Sequence, residues 1–177
     1  RRFGESKKPT FAFVNGLALG GGLEVALHCN YRTLATTAFT GLPEVFLGLV
    51  PGWGGATILP KLIGPKNAVQ VIILNALNNN TMMKAKDALG LGVVDAVFEP
   101  ADFLENSINF AVTILSGAEK IERRDFSEDK VQWEEAIAIG QGAVAKKFGG
   151  AQIPQAIKAL ELIAAARTNT LGAGFDA

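Results

Sequence analysis

Lys8-Pro9-Thr10-Phe11-Ala12-Phe13-Val14-Asn15-Gly16-Leu17-Ala18-Leu19-Gly20-Gly21-Gly22-Leu23-Glu24 is the stretch on which the reading of this chain turns. Phe11 to Val14 is a short apolar run suited to a buried strand, and Asn15-Gly16 is a turn signal that ends it. A helix is expected to begin at Gly21 or Gly22 and to run through Leu23-Glu24-Val25-Ala26-Leu27-His28-Cys29. Glu24 then sits among aliphatic neighbours. An unpaired carboxylate buried there would cost on the order of several kcal/mol, so it must be paired, protonated or turned toward a cavity. The preceding glycines leave the N–H groups of the helix start open to an approaching oxygen. That suits an oxyanion hole with a carboxylate one turn further in. The plainer alternatives are a carboxylate favouring the helix N-terminus or pairing with Arg32. A dinucleotide loop is a poor reading, because Gly16-Leu17-Ala18-Leu19-Gly20-Gly21-Gly22 does not fit G-x-G-x-x-G.

Working outward, Phe11 to Pro60 holds only three charged residues, Glu24, Arg32 and Glu44, together with nine of the chain's twenty glycines. Glu44 follows Gly41-Leu42-Pro43. Its plainer reading is a carboxylate at a helix N-terminus satisfied by local N–H groups. Two carboxylates in one uncharged stretch can instead share a water, with desolvation and mutual repulsion separating them into acid and base.

Tyr31 to Thr36 reads as the next strand, Ala38 to Thr40 as a short extended piece, and Gly48 to Gly55 as loop. Further on come helices over Asn67 to Leu77 and Lys84 to Leu89, and a strand over Val93 to Phe98. Pro100 opens a helix to Ser116, another runs from Glu128 to Phe148 with Gly149 beyond it, and a last from Ile153 to Arg167. In that last helix Ile157, Leu160, Ile163 and Ala164 share a face. The class is α/β, with a dry first part and, from Asp102, an amphipathic helical part.

Seventeen basic residues balance seventeen acidic ones, so no global field draws the chain to nucleic acid or an anionic surface. The uncharged run Val45 to Pro60 is too short and too rich in Gly and Pro to span a membrane. A lone cysteine, Cys29, makes no internal disulfide, and a reducing, cytoplasmic setting is expected. The Arg1-Arg2-Phe3 opening and the Phe175-Asp176-Ala177 end both read as cut ends.

The quoted stretch resembles the signature of the enoyl-CoA hydratase (crotonase) family. Gly41-Leu42-Pro43-Glu44, Gly48-Leu49-Val50-Pro51-Gly52, Gly54-Gly55, Leu62-Ile63-Gly64 and Ala85 through Asp95 follow in that family's order. The resemblance implies a crotonase-type ββα spiral, second half only. Residues 1–101 would be the C-terminal half of the core. Residues 102–177 would be the hydratase domain's C-terminal helices plus a linker. It implies hydration of a trans-2-enoyl-CoA to a 3-hydroxyacyl-CoA, with Glu24 and Glu44 catalytic, Gly21 donating an oxyanion-hole N–H, and Gly52 and Trp53 at the substrate. Carrying both glutamates favours a hydratase over the family's isomerases.

Tyr31-Arg32 and Leu160 through Arg167 look more like the multifunctional fatty-acid oxidation proteins. These imply a homo-oligomer, a thiolase subunit as partner, and an NAD-dependent 3-hydroxyacyl-CoA dehydrogenase downstream; this chain itself needs no cofactor, the coenzyme A thioester being substrate. There are departures from the family pattern. Its first half, which supplies the second oxyanion N–H and most CoA contacts, is not in this chain. Asn30 stands where many members have Asp, and Leu74 to Thr81 is longer and richer in Asn.

His28, the only histidine, lies four residues after Glu24, but without further His or a Cys cluster it reads as structural rather than metal-binding. Cys29 reads as a small core residue and Trp53 as core or acyl pocket, the pocket favoured. Trp133 and Phe148 read as packing residues, and Arg123-Arg124, beside Glu119, Glu122 and Asp125, as a solvated mixed-charge segment rather than a phosphate site.

Overall fold

A computed structural model describes residues 5–175; the residues Arg1-Arg2-Phe3 and Asp176-Ala177, where the cut ends were expected, lie outside the described residues. Strand β1 (Phe11–Val14) steps directly into β2 (Leu17–Leu19), and helix α1 (Gly21–Leu27) follows. The chain then repeats the move with β3 (Tyr31–Ala35), β4 (Phe39–Gly41) and, after a loop, α2 (Gly55–Ile63). In each turn the first strand joins one sheet and the second joins another. β3 lies parallel to β1 with Phe11 opposite Tyr31, and β4 lies parallel to β2 with Leu19 opposite Gly41. This stacking of ββα turns is the expected spiral.

The chain continues through α3 (Pro65–Val69), a π-helical stretch at Gln70–Leu74, α4 (Asn75–Leu77), β5 (Met83–Lys84) and α5 (Ala85–Gly90). β6 (Ala96–Phe98) closes the first sheet in the order β1-β3-β6, while β5 pairs antiparallel with β4 in the second. A 3₁₀ turn at Pro100–Asp102 leads into α6 (Phe103–Leu115), followed by α7 (Lys130–Phe148), α8 (Pro154–Ala166) and α9 (Leu171–Phe175). α2 packs on α8 and α3 on α7, so Trp133, Ala136, Ala156 and Ile163 join Leu34, Leu59 and Ile72 in one core.

Several expectations need correction. No helix was expected over Gly55–Ile63, because glycines open it and Pro60 interrupts its hydrogen-bond ladder; burial of Ala56, Leu59 and Ile63 outweighs that penalty. Strand β2, three residues between two glycine signals, was also unexpected. The strand expected from Val93 begins only at Ala96, since Arg32 Nε takes the Val93 carbonyl (2.8 Å) and Asp95 turns its carboxylate to the Arg32 N–H (2.8 Å). The helix expected over Asn67 to Leu77 starts at Pro65 and widens into its π turn. Asn79 and Asn80 adopt φ of 51° and 54°, a left-handed conformation Asn tolerates better than most residues, which accounts for the Asn-rich turn. α7 starts at Lys130 because the Asp129 side chain caps it, accepting from the Gln132 N–H at 3.0 Å. Ala164 faces solvent, and Ala156 and Ala159 take its place on the buried face of α8. Phe148 is partly exposed, whereas Trp133 is buried as expected.

Candidate active site

Both glutamates stand just beyond the carboxyl ends of adjacent parallel strands, Glu24 after β2 and Glu44 after β4, where open parallel sheets place their ligands. Gly20 links the two strand ends, its N–H donating to the Gly41 carbonyl at 2.9 Å. It also caps α1 with φ 54° and ψ −125°, a geometry that needs glycine. A Cβ there would fall 2.8 Å from Glu44 Oε1, so the bare Cα lets that carboxyl lie against the start of α1.

Glu24 is buried, and its Oε1 accepts two backbone hydrogen bonds, from Trp53 N–H at 2.7 Å and Gly55 N–H at 2.9 Å. These donors come from the loop entering α2, so a helix start does supply the carboxylate's partners, but it is the start of α2. The pairing of Glu24 with Arg32 does not occur. Arg32 is buried against Asp95, with Nη2 3.8 Å from Oδ2, and burial lowers its pKa to about 10, the Asp95 charge opposing the shift.

Glu44 has no such support. It is buried, and its Oε2 has no hydrogen-bond partner. Its pKa is pushed up from 4.5 to about 7, chiefly by burial; its own backbone N–H works against the shift and the Glu24 charge adds to it. The two carboxyls are therefore close enough to feel one another, and one of them is poised near neutrality.

Gly21 opens α1, so its N–H has no intrahelical acceptor, and a Cβ there would stand 3.4 Å from the Trp53 ring. Trp53 is 74% exposed, so it belongs to the rim of the site and not to the core. Gly52 is less available than expected: it is exposed, but its N–H is engaged with the Val50 carbonyl at 2.8 Å. The donors Trp53 N–H and Gly55 N–H were not foreseen as partners of Glu24. Their one sequence signal was the Gly54-Gly55 pair ahead of an apolar run. A Cβ on Gly55 would fall 2.7 Å from Pro51 Cβ and 3.2 Å from Glu24 Oε1, so only glycine lets this N–H approach.

Arg123 bonds Asp95 (2.6 Å) and the Asn30 carbonyl (3.1 Å), and Arg124 lies 4.9 Å over the Phe126 ring; both have local partners. Asn30 accepts from the Thr10 N–H and hydroxyl, both at 2.9 Å, and ties β1 to β3. Burial raises the Cys29 pKa, which does not favour a nucleophile. Among the described residues no cluster of His, Cys, Asp and Glu could hold a metal ion, and no helix is long and apolar enough to cross a membrane.

The sequence profile of the enoyl-CoA hydratase/isomerase family matches residues 1–128. The fatty acid oxidation complex subunit alpha of Idiomarina loihiensis is 41% identical over 161 residues, which is 88% of this chain and 22% of that protein. The peroxisomal fatty acid beta-oxidation multifunctional protein of Arabidopsis thaliana is 37% identical over 162 residues, 90% of this chain and 22% of that protein. This chain thus spans about a fifth of the length of these curated relatives. Among solved structures, the enoyl-CoA hydratase from Bacillus anthracis superposes with a TM-score of 0.56 at 28% identity, covering 91% of this chain and 54% of that one. With the ββα spiral, the order of motifs and a profile match over most of the sequence in agreement, the chain belongs to the enoyl-CoA hydratase/isomerase family.

Proposed function

We propose that this chain is the second half of the hydratase domain of a multifunctional fatty-acid oxidation protein, adding water across a trans-2-enoyl-CoA to give the 3-hydroxyacyl-CoA. The observation that carries the reading is the coupled pair Glu24 and Glu44 at adjacent strand ends, differently supported and with Glu44 raised to about 7. Glu24, held in place by two N–H donors, takes a proton from the attacking water. The water oxygen bonds to Cβ, and the π electrons move through Cα toward the thioester oxygen. The Gly21 N–H stabilises the charge that develops there. Glu44, protonated around neutrality, gives its proton to Cα. Proton exchange with solvent resets the two carboxyls, so the reaction needs only the thioester, water and these groups.

Trp53, on the rim above Gly21, serves the substrate side, and Gly52 shapes the loop beneath it. In the same reading residues 1–101 complete the core and 102–177 supply its helices and the linker. The dehydrogenase, with its NAD, lies downstream, and the assembled protein is a cytoplasmic oligomer with a thiolase subunit. The chain by itself would lack the second oxyanion donor. Leu17, Phe46, Leu47, Leu49 and Trp53 are exposed, which suits a surface that is covered in the whole protein.

The test is hydration of crotonyl-CoA by the parent protein, followed as loss of the conjugated thioester absorbance. Steady loss that disappears in Glu24→Gln and Glu44→Gln is expected. Double-bond migration without hydration would make it an isomerase, and thiol release a hydrolase; either would overturn the reading. The 177-residue chain alone should show no turnover and should scatter light as a self-associated species.

A further inference from the structure

His28 Nε2 lies 2.8 Å from the Trp53 carbonyl oxygen. A carbonyl only accepts, so Nε2 carries the hydrogen of this bond. The Trp53 N–H is meanwhile given to Glu24 Oε1 at 2.7 Å. His28 caps the C-terminal end of α1 in helical conformation, four residues after Glu24, so the two side chains lie on the same side of the helix. Together they take both backbone polar groups of one residue in the loop that enters α2. The ring also fits against that loop: a Cβ on Gly54, whose φ is 130°, would stand 3.2 Å from Nε2. The side chain of the residue so held lies over Gly21.

We infer that His28 is a positioning residue for the proposed hydration, holding the Trp53 peptide so that its N–H orients the Glu24 carboxylate and its indole stays over Gly21. The inference rests on the assignment of Glu24 above. A loop of three glycines and a proline between positions 51 and 55 has little stiffness of its own, and misplacement of a reacting group by about 1 Å can cost as much as 10²-fold in rate. Without the His28 bond the Trp53 carbonyl is free to turn, and the φ and ψ rotations of Trp53 that accompany this let its N–H move relative to Glu24 Oε1.

The experiment compares His28→Leu, His28→Gln and His28→Asn in the parent protein, with Glu24→Gln beside them. A Gln amide nitrogen reaches about as far as Nε2, whereas that of Asn falls short. The expected result is a kcat lowered about tenfold or more in His28→Leu and His28→Asn, with KM for crotonyl-CoA less affected, and near-parental kcat in His28→Gln. The emission of Trp53, taken as the difference between each variant and the same variant carrying Trp53→Phe, should shift in the Leu and Asn variants and not in Gln. If His28→Leu does not fold, the Gln and Asn pair carries the test. Parental kcat in the Asn variant, or equal loss in Gln and Asn, would overturn the inference while leaving the hydratase reading intact. Retention of activity by Glu24→Gln would instead overturn the reading on which it rests.

Discussion

Glu24 and Glu44 occupy equivalent places, one residue run beyond the ends of neighbouring parallel strands, yet the chain supports them in opposite ways. Beyond β2 a helix follows at once, and the carboxylate of Glu24 reaches out of it to two N–H donors from another segment. Beyond β4 there is no helix, only the turns from Glu44 to Gly48, and the carboxyl is left against a bare glycine Cα with one oxygen unpartnered. At Glu44 burial outweighs the bond from its own backbone N–H and favours the proton. Two identical side chains thus acquire different chemistry from where the surrounding N–H groups point.

The strongest blow to this comparison is removal of the titrating oxygen. Glu24→Gln and Glu44→Gln in the parent protein should each lower kcat for crotonyl-CoA hydration by about 10²–10⁴-fold with little change in melting temperature. Parental rates in both would end the assignment, and a large drop in melting temperature would make the glutamates structural.

Closing the donor loop should come next. In Gly55→Ala the new methyl meets Pro51, Leu42 and Glu24 Oε1, and a cost of roughly 1–3 kcal/mol is expected from urea unfolding, together with a loss of activity. Gly55→Ala with parental stability would mean that the loop can move away and that the Glu24 grip is not rigid.

The pH dependence separates the two carboxyls more finely. Activity that needs protonated Glu44 should fall as pH rises through about 7. Stability should move the same way. A carboxyl raised from 4.5 to about 7 on folding binds more protons in the native state, so its contribution is present below pH 4.5 and is lost as pH rises through about 7. Glu44→Gln should remove that slope, measured as the difference in unfolding free energy between pH 5 and pH 8. An unchanged slope would assign it to another group.

The smallest effect expected is at Gly22. Unlike Gly20 and Gly55 it has open space where a Cβ would go, so Gly22→Ala should stabilise α1 by up to about 1 kcal/mol in the same urea titration. Destabilisation would mean that the glycine run is needed for more than the two contacts described.

Much of this site was legible in the sequence because a charge in an apolar stretch is conspicuous: the low charge density between Phe11 and Pro60 isolates Glu24 and Glu44 by itself. The strand at Phe11–Val14 and the helix start at Gly21 were readable from a turn signal and a glycine run. What escaped were features decided by distant segments. The partners of Glu24 are backbone N–H groups, which every residue but proline carries, so no residue type marks them. Helix α2 runs against its own glycines and Pro60 because tertiary burial decides it. The true partner of Arg32 is Asp95, which no local pattern links to it.

That last pair has a consequence for how the chain is born. β3 receives β6, and Arg32 its counterion, only when a segment 63 residues later has been made. At about 5–20 residues per second, synthesis leaves β3 without that neighbour for roughly 3–13 s. Arg32 keeps a solvated guanidinium on the waiting strand during that interval, and a charge there discourages the wrong edge from pairing. The arrival of Asp95 then neutralises the charge in the same step that completes the sheet. An Arg32→Leu chain should therefore fail during synthesis before it fails at equilibrium, as aggregated nascent product.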